Sequence, residues 1–278
     1  MPELPELEVV RDVLQRRVVG RTITDVRLIP PGGPIVARDL GNMGFERTLS
    51  GATIAAVSRR GKFLVFSFTP DAPPLFLAIN PKLTGRLQLS DPSEKQAAKT
   101  HLVLGLDDNR QLRYLDQKQM GQLYLTRDLA AVPGYSGMGP EPFDISLEIF
   151  RERLCPFRGE IKGILTRGEF VAGIGNAYAD EILWAARLHP YRKCTQLTPV
   201  EVDRLYAAMR LTLGDAVHKV RAEMQEQIHL KPRDFLAVHM KTGQPCPRCG
   251  TPISLVGANQ RITNFCRSCQ PGGLIKGM

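Results

Sequence analysis

Three sets of residues have types and spacings suited to chemistry. The first is the terminus, Met1-Pro2-Glu3-Leu4-Pro5-Glu6. A small second residue permits removal of the initiator methionine, which would leave Pro2 as a terminal secondary amine. An α-amino group ionises near pH ~8, far below lysine. A useful fraction is therefore uncharged and nucleophilic at neutral pH. Attack of such an amine on a sugar C1′ gives an iminium, the amine form of covalent catalysis. Glu3, next door, suits general acid–base work, and Glu6 is spaced to orient it. The helix that begins near Pro5 presents a positive end, which disfavours an ammonium at Pro2. Taken alone, a Met-Pro start is commonplace, and acids in a first helical turn are ordinary helix design.

The second set is metal-ligating. Cys246, Cys249, Cys266 and Cys269 form C-x2-C-x16-C-x2-C. Each pair grips one metal from a tight turn, and two pairs complete a tetrahedron. With no secretory signal at the terminus, this spacing reads as zinc rather than disulfides. All four positions are filled, so one structural Zn2+ is expected and no open coordination site. Cys155 and Cys194 stand apart and read as ordinary thiols.

The third set would hold phosphate. Val171–Glu181 reads VAGIGNAYADE, a glycine-rich turn between two helical stretches. Helix, turn, helix is a DNA-binding shape. Asn176 is placed to cap the second helix and face an anion. A dinucleotide fingerprint fails here, because Tyr178 occupies the third glycine position and no strand precedes it. Arg59-Arg60-Gly61-Lys62 lies at the mouth of a strand, where Lys62 suits a phosphate or a base edge. Solvated strand-end lysines are commoner, so this segment is weak by itself.

The elements that must position these residues fall into two textures. Leu7, Val10, Leu14 and Val18 recur at helical spacing and Gly20 ends the run. Seven strand-like stretches follow: 22–29, 53–58, 62–68, 75–79, 101–106, 110–115 and 122–125, with Asp107-Asp108-Asn109 as a hairpin turn. That pattern predicts a sandwich or barrel. Residues 131–143 hold three prolines and three glycines and read as a linker. Beyond it the expected helices are 146–154, 160–167, 176–188 and 199–224. The last has Thr198 and Glu201 as a capping box around Pro199. Val202, Leu205, Met209, Leu213, Ala216 and Val220 form its apolar stripe. The expected fold is α+β, with a catalytic sandwich over 1–130, a linker over 131–145, a helical domain over 146–230 and a finger over 231–278.

The net charge of +9 is uneven. Residues 1–150 hold 18 Lys/Arg against 17 Asp/Glu, whereas residues 151–278 hold 19 against 11. A basic half is a footprint for a polyanion. No apolar run approaches a membrane span, and the acidic amphipathic start is no signal peptide. A cytoplasmic monomer is the default expectation, nucleoid-associated in a bacterium.

PELPELE at the terminus, RRGKF before a strand, AGIGNAYADEIL in the helical half, and GQPCPRCGTPI followed by R-x4-C-x2-C together resemble the formamidopyrimidine-DNA glycosylase/endonuclease VIII family. They stand in that family's order over nearly the whole chain. The resemblance implies an N-terminal β-sandwich, a helix–two-turns–helix domain and a zinc β-finger, acting on damaged double-stranded DNA. It implies that Pro2 is the Schiff-base nucleophile and Glu3 the general acid. Lys62 matches a lysine that contacts phosphate near the lesion, Asn176 a phosphate-binding asparagine, and Arg261 the finger arginine on the phosphates around the flipped nucleotide. Lys162 sits where the family often has another DNA-facing lysine. The implied reaction is excision of a damaged base, then β- and δ-elimination.

Two departures bear on substrate choice. The residues that fill the space of the flipped base are matched here by Leu83-Thr84-Gly85 and Gln119-Met120-Gly121. Leu83 and Met120 keep apolar bulk to wedge into the stack. Gln119 stands for an arginine that would read the orphaned base, and glutamine suits adenine. Only Glu223–Pro245 separates the long helix from the finger, where 8-oxoguanine-excising members carry a longer segment. 8-Oxoguanine is therefore disfavoured as the main substrate. The alternatives are an abasic-site lyase with weak excision, a DNA-damage binder without chemistry, and a proline tautomerase, which has no use for a finger.

Overall fold

The protein is described by a computed structural model covering residues 1–69, 73–257 and 262–272. Two compact units divide the chain: Met1–Gly137 with Val220–Pro232, and Met138–Lys219 with Arg233–Met278.

The first unit starts with α1 (Leu4–Arg17), for which Glu3 is the N-cap and Arg16 and Arg17 lie in the last turn. Both ends suit the helix dipole. Leu7, Val10 and Leu14 are buried as the spacing predicted, and Gly20 turns the chain at φ +80°. Then come β1 (Ile23–Leu28), α2 (Gly32–Val36), β2 (Ala37–Asp39), α3 (Phe45–Leu49), β3 (Thr53–Arg60), β4 (Phe63–Thr69), β5 (Leu75–Asn80), β6 (Arg86–Ser90), β7 (Thr100–Leu106), β8 (Gln111–Leu115) and β9 (Gln122–Thr126). They form one sheet ordered β1-β7-β8-β6 and another ordered β2-β9-β5-β4-β3. Leu14, Ile54, Phe66, Leu77, Leu123 and Leu125 are fully buried among them. All seven expected strands are present. β2 and β6 are additions: β2 has three residues and pairs parallel to β9, and β6 offers only Leu87 and Ser90 as buried positions.

The second unit holds α4 (Leu147–Leu154), α5 (Ile161–Leu165), α6 (Asn176–Ala185) and most of α7 (Pro199–Met224), then a hairpin of β10 (Ser254–Val256) and β11 (Thr263–Phe265). The capping box of α7 is made as expected. Glu201 Oε2 accepts the Thr198 amide at 2.9 Å, and Thr198 Oγ1 accepts the Glu201 amide at 3.3 Å. Leu205, Met209 and Leu213 are fully buried. Phe150 anchors the helical core, 5.1 Å from the Phe170 ring and 5.5 Å from the Tyr206 ring, separations favourable for tilted aromatic pairs.

Candidate active site and nucleic-acid interface

Pro2, Glu3 and Glu6 meet at the start of α1 and all three are buried. Glu6 Oε2 accepts the Glu3 amide at 2.9 Å, one arm of a reciprocal capping box. Glu6 therefore fixes the backbone that carries Glu3, the orienting relation its spacing suggested. Pro2 lines a narrow crevice together with Pro81, Gly85, Arg86, Ile228 and Lys231. The chain after α7 thus forms one wall beside Pro2, held to α1 by Arg17 Nε on Glu226 Oε1 at 3.0 Å and by Arg221 on Asp12. Arg86 and Lys231 were not singled out by sequence. An arginine at a strand start and a lysine in a loop carry no local signal.

Lys62 lies in the tight turn between β3 and β4, after Gly61 at φ +56°. Arg59 ties that turn to α1. Its Nε donates to Glu8 Oε2 at 2.5 Å and its Nη1 to the Gly61 carbonyl at 3.0 Å. Burial pushes the Glu8 carboxyl up, but Arg59 and Arg11 outweigh it and hold the group below its usual value. Lys62 and the terminus are therefore both carried on α1, through different contacts.

Leu83 and Met120 sit on two neighbouring turns. β6 begins after the first and β8 ends before the second, with Arg86 paired to Leu115. Met120 is 47% exposed, whereas Leu83 and Gln119 are half-buried. Between the turns lies a group that sequence reading missed, the buried carboxylate of Asp116.

In the second unit the structure corrects two expectations. Gly175, not Asn176, is the N-cap of α6. Asn176 is the first helical residue, and its Nδ2 donates to the Ile262 carbonyl at 2.9 Å. Lys162 is 7% exposed. Its ammonium bonds Asp180 Oδ1 at 2.6 Å, the Ile262 carbonyl at 3.0 Å and Thr263 Oγ1 at 2.8 Å. The expected direct DNA contact gives way to an internal role, because a lysine so enclosed spends its donors on the protein. Asp180 also takes His239 Nδ1 at 2.8 Å. Glu181 accepts the amides of Ala237, Val238 and His239 at 2.8–2.9 Å, yet burial still pushes its carboxyl above the usual value. Helix α6 thus holds the finger by two buried acids, a network with no local signature. Arg261 lies outside the described residues.

The four cysteines come together as their spacing predicted. Their sulfurs lie within 4.8 Å of one another, with Cys246 to Cys269 at 3.9 Å and Cys249 to Cys266 at 3.4 Å. Four thiolates at about 2.3 Å from a tetrahedral zinc stand roughly 3.8 Å apart, so the set fits that ion. Trp184 Nε1 donates to Cys246 Sγ at 3.4 Å, and Arg248 stacks 4.1 Å over the Trp184 ring. The site binds one structural zinc.

Comparison with known proteins finds three family matches along the chain. The formamidopyrimidine-DNA glycosylase N-terminal domain matches residues 1–123, the formamidopyrimidine-DNA glycosylase H2TH domain residues 138–227, and the zinc finger found in FPG and IleRS residues 243–272. The chain belongs to the formamidopyrimidine-DNA glycosylase family. It is a DNA glycosylase of a family that also has AP lyase activity. The formamidopyrimidine-DNA glycosylase of Symbiobacterium thermophilum is 38% identical over 98% of this chain and 90% of its own. That of Heliobacterium modesticaldum is 38% identical over 97% of this chain and 100% of its own. A Lactococcus lactis family member solved with Fapy-dG-containing DNA superimposes at a TM-score of 0.85, with 31% identity, over 97% of this chain and 100% of that one. A MutM structure with carbocyclic 8-oxo-G-containing DNA gives 0.85, with 30% identity, over 98% and 100%. Among the described residues, no helix is long and apolar enough to cross a membrane.

Proposed function

We propose that this glycosylase excises damaged bases from double-stranded DNA through the amine of Pro2, then cleaves the strand by β- and δ-elimination. The observation that carries this reading is the shared crevice: Pro2 and the turn bearing Leu83 line the same walls, beside Glu3 on its fixed backbone. With Met1 removed, the Pro2 nitrogen attacks C1′ and the damaged base leaves with its bonding pair, protonated by a general acid. Glu3 supplies the proton for base release and ring opening. The iminium makes the C2′ protons acidic, and loss of one expels the 3′-phosphate; a second elimination expels the 5′-phosphate.

Around that centre, Lys62 holds a phosphate near the lesion from its turn. Asn176 acts through the first turn of α6, where helix amides favour an anion. Arg261 grips phosphate, and Lys162 sets the segment that follows it. Leu83 and Met120 fill the emptied stack, and Gln119 faces the orphaned base. The default setting is a monomer in the cytoplasm.

Ring-opened purines and oxidised pyrimidines rank ahead of 8-oxoguanine. Overall length does not support that order, since this chain matches relatives over 99% of theirs. It rests on Gln119 in place of an arginine and on the short stretch after α7, which lies against Pro2.

The test is a panel of duplexes, each holding one lesion against each of the four bases. Excision followed by a one-nucleotide gap with phosphate on both sides is expected. Cleavage of abasic sites alone would reduce the chain to a lyase, and no cleavage of any duplex would leave only damage binding.

A further inference from the structure

The two turns assigned above as wedges are built alike. In the first, Asn80 Oδ1 accepts the Lys82 amide at 3.2 Å, Lys82 stands at φ +48°, Leu83 follows, and the Gly85 amide closes on the Pro81 carbonyl at 2.9 Å. In the second, Asp116 Oδ1 accepts the Lys118 amide at 3.2 Å, Gln119 stands at φ +53°, and Met120 and Gly121 follow. A positive φ on a residue with a side chain is sparsely populated and persists only where its surroundings enforce it. Each wedge residue therefore follows a position that needs external support.

Asp116 supplies that support to both turns. It is 1% exposed. One carboxylate oxygen accepts the Thr84 hydroxyl and the Lys118 amide. The other accepts the Gly121 amide at 2.7 Å and the Tyr114 hydroxyl at 3.4 Å. Thr84 belongs to the first turn, Gly121 to the second. Tyr114 is their common floor: a Cβ on Gly85 would stand 2.2 Å from its hydroxyl oxygen, and one on Gly121 only 1.6 Å. Both distances are far inside contact, so glycine alone lets the two turns reach the same phenol. Burial and the Asp116 charge push the Tyr114 hydroxyl well above its usual value, which keeps it a donor.

We propose that Asp116 is a positioning residue that couples the two turns, so that Leu83 and Met120 enter the base stack as one unit. Intercalating side chains must unstack base steps to enter the duplex. Two wedges on a common clamp fill the stack together, and neither seats well without the other. The inference rests on the reading of Leu83 and Met120 as wedges.

A double-mutant cycle tests it. Excision is measured on a duplex with one formamidopyrimidine lesion, and strand cleavage on a single-stranded abasic oligonucleotide, which needs no unstacking. In the native background, Leu83→Ala with Met120→Ala should lose no more duplex excision than the worse single change. In the Asp116→Asn background the two losses should multiply. Asp116→Asn alone should lower duplex excision at least tenfold, change single-strand cleavage less than twofold, and lower without abolishing the fluorescence rise of a 2-aminopurine next to the lesion. If Asp116→Asn fails to fold, Thr84→Val cuts the arm to the first turn only and carries the same test. Losses that multiply in both backgrounds, or equal loss on both substrates, would overturn the coupling. If neither single wedge change lowers duplex excision, the wedge reading falls and takes the coupling with it.

Discussion

The two regions of this enzyme fix their functional atoms by opposite means. The N-terminal region is nearly charge-balanced, and its candidate groups ride on a helix start and on turns around an apolar sandwich. Glycines, capping contacts and one buried carboxylate set their positions. The C-terminal region is strongly basic and fixes its finger with a metal and a buried array of Lys162, Asp180, Glu181 and His239. The difference teaches where each region is vulnerable. Turn-held atoms tolerate loss of one contact at a modest cost to the fold. A charge network in low dielectric leaves an uncompensated ion when one member goes.

The largest effect expected from that contrast is metal loss. Cys266→Ser, or a strong chelator, removes a term of about 10–16 kcal/mol in isolated fingers. Hydrogen exchange should then show the finger unfolded and the sandwich still protected, with DNA affinity lost. Equal collapse of the sandwich would erase the distinction. Next comes Lys162→Met, which removes the cation from Asp180 and leaves it only His239 and the Asn264 amide. Breaking a buried pair costs about 3–5 kcal/mol, and chemical denaturation should locate the loss in the second region.

Gln119→Arg acts on the first region and should leave stability unchanged. It should shift opposite-base preference toward a base whose exposed pairing edge offers adjacent acceptors, as cytosine's N3 and O2 do, with a discrimination of about 1–3 kcal/mol for a bidentate pair, read as relative excision rates. Arg261→Ala should weaken binding on all duplexes alike and lower the slope of log affinity against log salt by about one unit. A change in lesion preference instead would put Arg261 on a base.

The smallest effect is in acid. Glu8 is held below its ordinary value in the folded state, so its contribution is present above the usual carboxylate range and is lost as pH falls through the lowered value. Glu181 is raised, so its burial weighs against the fold increasingly as pH rises above the ordinary range. Glu8→Gln should therefore flatten the acid limb of the first region slightly, as expected for a partly exposed ion pair. Glu181→Gln should not flatten that limb.

Much of this was legible in the sequence because local physics repeats. Helix α7 begins where Thr198, Pro199 and Glu201 say it should. The cysteines cluster because two C-x2-C turns have few other uses. Pro2, Glu3 and Glu6 fall together because they share one capped helix start. What escaped depends on partners distant in the chain. Asn176 reads as a cap, yet its amide reaches a carbonyl 86 residues away. Lys162 reads as a DNA-facing lysine until Asp180 encloses it. Asp116 looks like any acid after a strand; only the pairing of β6 with β8 brings Thr84 to it.

Pro2 remains the residue on which the catalytic reading turns, and one measurement addresses it directly. The enzyme is incubated with abasic-site duplex and borohydride, and the trapped adduct is digested and mapped by mass spectrometry. The adduct should lie on the Pro2 nitrogen of chains lacking Met1, and Pro2→Gly with one residue added before it should give none. An adduct on a lysine, or no adduct under conditions in which the duplex is cut, would contradict amine catalysis at Pro2.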